Sequence, residues 1–413
     1  KQDFFWFNAK GDLEYDPEFR KLCEAKVEEM KDFNSTKTGK DIDHVFLGYL
    51  KDELLSESKI DEVRVRMIYA NDTICLVAFR MVFGCLLAAV NNSARTIPSA
   101  IGLNQYSHDM EMIYQYLTEA GHNFVAGDYK SFDKRQHPIF RDFAYRLIKR
   151  LIGPIVSENE YWFMFRHETE TPAQVGQWRF WTKSNHMSGC FWTTILNNWI
   201  NEAYMRYVFH ELYPMAEFEK HCRMKVLGDD HILATDDEFD MRPVVIEPVM
   251  RTLGQEYTSA NKGQPLEDHY LKFEELTFLG AHPRKSLEGK WTGAMKLDTL
   301  YETVQWTRDK GASLLDTCVQ MIECASQWDE EFFEDYQYQI RSAFEERDME
   351  PPEERSYKML NRIVANRDSL SGYHFVGYSA EGPIETTKDT LQTKITPQID
   401  GLTIKTAALA PNL

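Results

Sequence analysis

The sequence predicts an α+β chain of two or three subdomains built around a small antiparallel sheet. Three observations carry that expectation. Short alternating apolar runs end in carboxylates at 123–128 and flank a Gly-Asp turn within 223–235. Long stretches at helical spacing occupy 188–212 and 298–367. The length, 413 residues, exceeds one ordinary core.

Bulk properties narrow the function classes. A formal charge of −18 argues against nonspecific nucleic-acid binding, because phosphate affinity comes from Lys and Arg displacing counterions; a basic channel inside an acidic protein stays open. The cysteines (Cys23, Cys75, Cys85, Cys190, Cys222, Cys318 and Cys324) form no CxxC pair and no zinc-finger spacing. They read as reduced thiols of a cytosolic compartment, and no structural zinc is expected. No run of about eighteen uncharged apolar residues occurs, so no membrane-spanning helix is expected. Lys1-Gln2-Asp3-Phe4 has neither an initiator Met nor a signal peptide and reads as an interior cut or a processed end.

In chain order, an aromatic run (Phe4-Phe5-Trp6-Phe7) precedes a helix over 17–33 with Phe19, Leu22, Val27 and Met30 on one face. Alternation from Arg64 to Tyr69 predicts a strand with Arg64 and Arg66 on one face, either a solvated surface or a grip for a triphosphate. Residues 73–90 read as a buried helix containing Arg80. In the strand Asn123-Phe124-Val125-Ala126-Gly127-Asp128, alternation puts Phe124, Ala126 and Asp128 on one face. Asp133 lies just past the following turn, before a helix over 138–151, where capping alone would also account for it. Residues 153–185 lack a clear period and read as irregular strands and loops.

A long helix is expected to start at Met187-Ser188-Gly189-Cys190 and run to about residue 212. Thr193, Asn197 and Asn201 recur along one stripe of it, and Ile195, Trp199, Ala203 and Tyr207 fill another. Asn and Thr, rather than Lys and Glu, suit a buried or ligand-facing stripe. Arg223 to Leu227 and His231 to Thr235 then form a hairpin with Gly228-Asp229-Asp230 at its tip. Gly-Asp is ordinary turn chemistry, yet adjacent carboxylates repel unless a cation such as Mg²⁺ sits beside them. Further on, 239–254 reads as a helix despite Pro243 and Pro248, a lone Lys262 follows Tyr257 to Asn261, and 276–280 reads as a strand entering a turn. From Asp298 to about Arg367 the pattern is helical, broken at Lys310-Gly311 and Pro351-Pro352. The Thr-rich end, with Thr386, Thr387, Thr390, Thr393 and Thr396 among others, reads as an extended linker or tail.

An Asp closing one strand, a second Asp soon after, a Ser-Gly-led polar helix, a Gly-Asp-Asp hairpin and a following Lys occur in one order. In this the sequence resembles the viral RNA-dependent RNA polymerases of the picornavirus-like group. Asp128 and Asp133 resemble the first palm motif of that family. Ser188-Gly189-Cys190-Phe191-Trp192-Thr193-Thr194-Ile195-Leu196-Asn197 resembles the second, Gly228-Asp229-Asp230 the third, Lys262 the lysine of the fourth, and Phe278-Leu279 the turn of the fifth. Lys51-Asp52-Glu53-Leu54, Lys59 and Arg64-Val65-Arg66-Met67-Ile68 look like the fingers motif that lines the nucleotide path, continued by Arg80-Met81-Val82-Phe83-Gly84. Trp306-Thr307-Arg308-Asp309 resembles the start of the thumb. About residues 45 to 345 are covered.

The resemblance implies a right-hand polymerase: fingers over 1–119, palm over 120–295 with an inserted fingers segment near 153–185, a helical thumb over 296–367, and a tail over 368–413. It implies synthesis of RNA from ribonucleoside triphosphates on an RNA template and primer, in replication of a positive-strand RNA virus genome. The chemistry is two-metal nucleotidyl transfer with Mg²⁺, for which Mn²⁺ substitutes. Asp128 and Asp229 are expected to bridge both ions, with Asp230 as an auxiliary ligand and Lys262 as the general acid for pyrophosphate. Lys59, Arg64 and Arg66 are expected on the triphosphate, and Asp133, Ser188, Thr193 and Asn197 around the nucleotide. A carboxylate hydrogen-bonded to an Asn recruits a 2′-hydroxyl, so Asp133 and Asn197 point to ribonucleotides and away from a reverse transcriptase. Host cytoplasm, viral replication complexes, a protein primer and other viral replication proteins are the implied setting; protein-primed and de novo initiation both stay open.

The sequence departs from the family pattern in four places. Leu227 stands where most relatives carry an aromatic, and Gly280-Ala281-His282-Pro283-Arg284 is less basic than the usual primer-grip turn. The Thr-rich end runs past the usual stop, and the segment that ties fingers to thumb has no counterpart before Lys1, so the chain reads as N-terminally short. A catalytically silent RNA-binding or scaffolding fragment is the alternative.

Overall fold

The computed structural model describes residues 5–7, 13–53, 55, 57–62, 65–181, 186–261, 264–305, 314–367, 377–379 and 382–384. Arg64, Lys262 and the Trp306 to Lys310-Gly311 stretch lie outside them, as does nearly all of the Thr-rich end. Two compact units divide the chain: residues 1–90, 131–200 and 374–413 form the first, residues 91–130 and 201–373 the second.

In the first unit, Asp16 caps the helix Pro17–Lys31 by accepting the Glu18 amide, with Pro17 in the first turn, where its missing N–H is not needed. A four-stranded sheet has the order Met67–Ala70, Phe46–Leu50, Ala173–Val175, Trp178–Phe180, parallel between the middle pair and antiparallel outside it. The alternating stretch expected from Arg64 is a strand only from Met67, which leaves Arg66 just ahead of it. The helix Thr73–Asn92 buries Cys75, Ala78, Phe79, Phe83, Leu86 and Val90. By length and composition alone it is apolar enough to cross a membrane, although Arg80 interrupts the apolar run. Its Phe79 and Phe83 rings instead pack edge-on against Phe163 and Trp192.

Residues 153–185 are not irregular throughout. Helix Glu158–Glu170 occupies much of the stretch, started by a reciprocal capping box between Ser157 and Glu160. Tyr161, Phe163, Met164, His167 and Glu168 are all buried, and two polar residues on the inward side hide the helical period. The strands there are a short hairpin, Ala173–Val175 with Trp178–Phe180. The long helix begins at Thr193 and ends at Leu212; Ser188 to Trp192 form turns ahead of it rather than its first residues.

The second unit carries an antiparallel sheet in the order Tyr257–Ser259, Asn123–Tyr129, Asp230–Thr235, Cys222–Leu227. As the alternation predicts, Phe124 and Ala126 share a face. With Ile232 and Ala234 they pack on Met110, Ile113 and Leu117 of helix Asp109–Thr118. The stretch 276–280 is a turn rather than a strand: φ is +52° at Leu279 and +73° at Gly280, and the strand Ala281–Lys285 follows it, paired with Trp291–Met295. The helix expected over 239–254 is Pro243–Thr252. Helices Leu297–Thr303, Leu314–Ala325, Glu330–Glu345 and Tyr357–Ala365 share a core of Leu300, Ile322, Phe333, Tyr336 and Leu360. Pro351-Pro352 separates the last two as expected; a further break after Ala325 ends where Asp329 accepts the Phe332 amide.

Candidate active site

Within the second unit, the strands Cys222–Leu227 and Asp230–Thr235 close on the pair Leu227↔Asp230, so Gly228 and Asp229 form a two-residue loop. Gly228 has φ +70°, the left-handed conformation that a glycine takes without strain at the first loop position. This exposes Asp229 at the tip and leaves Asp230 half-buried at the start of the return strand. The neighbouring strand pairs in register up to Gly127↔His231, and one further step sets Asp128 beside Asp230. Three carboxylates from two strands therefore gather at one end of the sheet.

Side chains that the motif reading passed over hold this arrangement. Asn201, fully buried, donates its amide to the carbonyls of Gly228 (3.1 Å) and Asp229 (3.0 Å) and accepts the Tyr129 hydroxyl at 3.0 Å. The loop backbone is thus bolted to the helix below it. His231 and the Tyr257 hydroxyl lie 3.0 Å apart, and a Cβ at Gly127 would fall 1.9 Å from that hydroxyl, so only glycine fits at the step before Asp128. Asp230 accepts the Leu279 amide at 2.7 Å, which anchors the left-handed turn at Leu279-Gly280. Burial, with the charges of Asp128 and Asp229 adding to it, pushes the Asp230 carboxyl up to about 7. Hard oxygen donors crowded until they repel are the donor set for a divalent cation of the Mg²⁺ type, and the residues fit such an ion.

Within the first unit, Asn197 donates to Asp133 at 2.9 Å, as the sugar-selection reading requires. Gln136 donates to the Asn197 carbonyl oxygen at 2.7 Å and so fixes which end of the amide faces Asp133. Ser131, at φ +60°, turns the chain into the short helix Phe132–Arg135 that carries Asp133. Ser188 accepts the Tyr69 amide at 2.9 Å, and a Cβ at Gly189 would lie 2.2 Å from the Tyr69 carbonyl oxygen. The Ser188-Gly189 turn is therefore clamped to the edge strand Met67–Ala70. Thr193 is spent inside that turn: its hydroxyl lies within hydrogen-bond reach of the carbonyls of Cys190, Ser188 and Met187 and of the His186 ring. From below, the buried Glu168 accepts the amides of Phe191 and Trp192 and the Tyr145 hydroxyl.

The basic residues stand differently. Arg66 is exposed and held by both oxygens of Glu53, with Nε at 2.7 Å, and this pairing draws the Glu53 carboxyl down to about 2. Lys59 lies in helix Glu57–Asp61 with its side chain outside the described residues. Arg64 and Lys262 are outside them altogether. Lys130, the basic neighbour of Asp128 in sequence, pairs with Glu256 at 2.7 Å.

The sequence profile of the viral RNA-dependent RNA polymerases matches residues 10–344. The chain belongs to that family. It is similar to the replicase polyprotein of acute bee paralysis virus (25% identical over 327 residues) and to the genome polyprotein of human rhinovirus C (27% over 307 residues); both alignments cover 73% of this chain. The chain spans only 16% and 13% of the length of those polyproteins. In fold it is similar to the 3Dpol RNA-dependent RNA polymerase of a sicinivirus, with a TM-score of 0.71 at 20% identity, covering 88% of this chain and 73% of that one. In this member of the polymerase family, Leu227 packs against the core beneath the sheet. Arg284 lies over the Trp328 ring at 4.7 Å and donates to the Glu274 carbonyl at 3.2 Å.

Proposed function

We propose that this chain carries out template-directed RNA synthesis from ribonucleoside triphosphates by two-metal nucleotidyl transfer, replicating a positive-strand RNA virus genome in the host cytoplasm. The gathering of Asp128, Asp229 and Asp230 at one end of an antiparallel sheet is the observation that best supports this reading. Asp128 and Asp229 would hold Mg²⁺ ions, or Mn²⁺ in their place, with the free oxygen of Asp230 as an auxiliary donor. Held there, the ions supply activation of the primer 3′-hydroxyl and charge neutralisation on the leaving pyrophosphate.

The chain's own residues do the rest. Asn201 keeps Asp229 at a fixed height, so the carboxylates need no rearrangement to receive their ligands. Asp133, oriented by Asn197, accepts the 2′-hydroxyl of a ribonucleotide. Arg66, with Arg64 and Lys59, draws the triphosphate, and for Arg66 this means exchanging Glu53 for phosphate oxygens. Ser188 and Thr193 act by shaping the turn ahead of the helix, and Lys262 gives the proton that pyrophosphate needs on departure. Fingers over 1–119, palm over 120–295 and thumb over 296–367 are the division this reading uses.

A primer-extension assay on a homopolymer RNA template with Mg²⁺ tests it. Template-dependent ribonucleotide incorporation is expected. RNA binding without incorporation, also in a longer chain, would favour the scaffolding reading.

A further inference from the structure

The first unit contains a second cluster with metal-binding chemistry, made of residues that none of the sequence motifs includes. His44, in the loop before strand Phe46–Leu50, Cys75, near the start of helix Thr73–Asn92, and His167, near the end of helix Glu158–Glu170, each offer one donor atom. All three donors lie within 4.8 Å of one another. All three residues are buried: 7% exposed for His44, 2% for Cys75 and 0% for His167. His44 Nε2 and both ring nitrogens of His167 have no hydrogen-bond partner among the described residues. A buried polar nitrogen left unpaired is costly, and polar groups in cores are almost always satisfied. These nitrogens need a partner, and the surroundings offer an apolar wall: Phe46 stands 4.8 Å from His44 and Phe79 4.9 Å from His167, centroid to centroid.

We propose that His44, Cys75 and His167 form a structural site for a borderline-soft divalent cation, zinc above others, that ties three elements of this unit together. Two imidazoles and a thiolate are zinc's preferred donors, and the tetrahedral distances of about 2.0–2.3 Å need the donors to close by roughly 1 Å. The two rings now stack with centroids 4.0 Å apart, so closing on an ion splays them until one nitrogen of each points toward the Cys75 sulfur. Asp72, an exposed carboxylate that hydrogen-bonds the Cys75 thiol, lies beside the three donors and outside their group, so water or that carboxylate would complete the shell. Lys26, the cation nearest the cluster, is paired with Glu29 at 2.6 Å. On ion binding Cys75 loses its proton to solvent, and no redox step is involved.

The site would brace the Ser188 turn of the same unit. Strand Phe46–Leu50 pairs with Met67–Ala70, to which the Ser188 turn is clamped. His167 precedes Glu168, which holds the Phe191 and Trp192 amides. Cysteine spacing does not reveal such a site, because the three donors come from distant parts of the chain.

Elemental analysis of the full chain, purified without chelators, is expected to find about one zinc per chain. Exchange with Co²⁺ is expected to give tetrahedral d–d bands and a near-ultraviolet thiolate-to-cobalt band. Cys75→Ser and His167→Gln should lower bound metal at least tenfold, and Cys75→Ser should abolish the thiolate band. Cys222→Ser, next to the separate surface group His221, Asp236 and Glu238, should retain it. The proposal is overturned if the wild-type chain takes up neither ion, if no thiolate band forms, or if the band survives Cys75→Ser and disappears with Cys222→Ser. The wild-type spectrum decides even where a variant fails to fold.

Discussion

Replacing Asp133 by Ala is expected to strip the chain of its preference for ribonucleotides while leaving incorporation itself in place. The Asp133 carboxylate is held by the Asn197 amide at 2.9 Å, and Asn197 is held in turn by Gln136 at 2.7 Å. A hydrogen bond from a 2′-hydroxyl to such a fixed carboxylate is worth about 1.5–3 kcal/mol, or roughly a 10- to 150-fold loss in the ratio of ribo- to deoxynucleotide kcat/KM when it is removed. Gln136→Leu touches neither sugar nor metal, yet it frees the Asn197 amide to turn. The same ratio should then fall by about 3- to 10-fold, the worth of one neutral hydrogen bond. Single-nucleotide incorporation kinetics with matched ribo- and deoxynucleoside triphosphates measure both variants. Because the readout is a ratio within one variant, a general loss of activity cancels. An unchanged ratio in Asp133→Ala refutes the assignment, and a fall in Asp133→Ala with none in Gln136→Leu refutes the orienting role of Gln136.

Three further outcomes follow from the geometry. Asn201→Leu releases two loop carbonyls and the Tyr129 hydroxyl, a loss of about 3 kcal/mol, and incorporation should fall with a raised Mg²⁺ requirement in a metal titration. Gly127→Ala drives a methyl group into Tyr257 and should cost at least ~2 kcal/mol in urea denaturation. Burial raises the Glu168 carboxyl to about 7 from 4.5, so the folded state holds a proton that the unfolded chain has released. Stability should therefore fall as pH rises from 4.5 toward 7, by up to about 3 kcal/mol, and Glu168→Gln should flatten that difference in urea midpoints measured across the range.

The carboxylate end of the sheet was legible because its information is local. Alternation placed Phe124 and Ala126 on the core face, and Gly228-Asp229 has the chemistry of a tight hairpin loop. What holds those carboxylates was not legible in the same way. Asn201 stood out only as the next member of a polar stripe, and its partners are backbone carbonyls that no motif names. Gln136 and Glu168 carry no local signal, since their partners lie 61 and 23 residues away. Helix Glu158–Glu170 carries a start signal in Ser157 and Glu160 that the reading of 153–185 as irregular passed over, and inward-facing His167 and Glu168 broke the apolar period that would have made the pattern plain. The turn at Leu279-Gly280 falls where 276–280 was expected to end, but what holds it was not legible: Leu is a poor residue for φ +52°, and the Asp230 carboxylate holding its amide is a tertiary contact.

Asp128 and Asp229 carry the central claim, and single-turnover incorporation on a primed RNA template tests it most directly. The wild-type chain is expected to add a ribonucleotide only with Mg²⁺ or Mn²⁺ present, and both Asp128→Asn and Asp229→Asn should abolish addition while circular dichroism and thermal unfolding stay near wild type. Addition that persists in either folded variant would contradict the account.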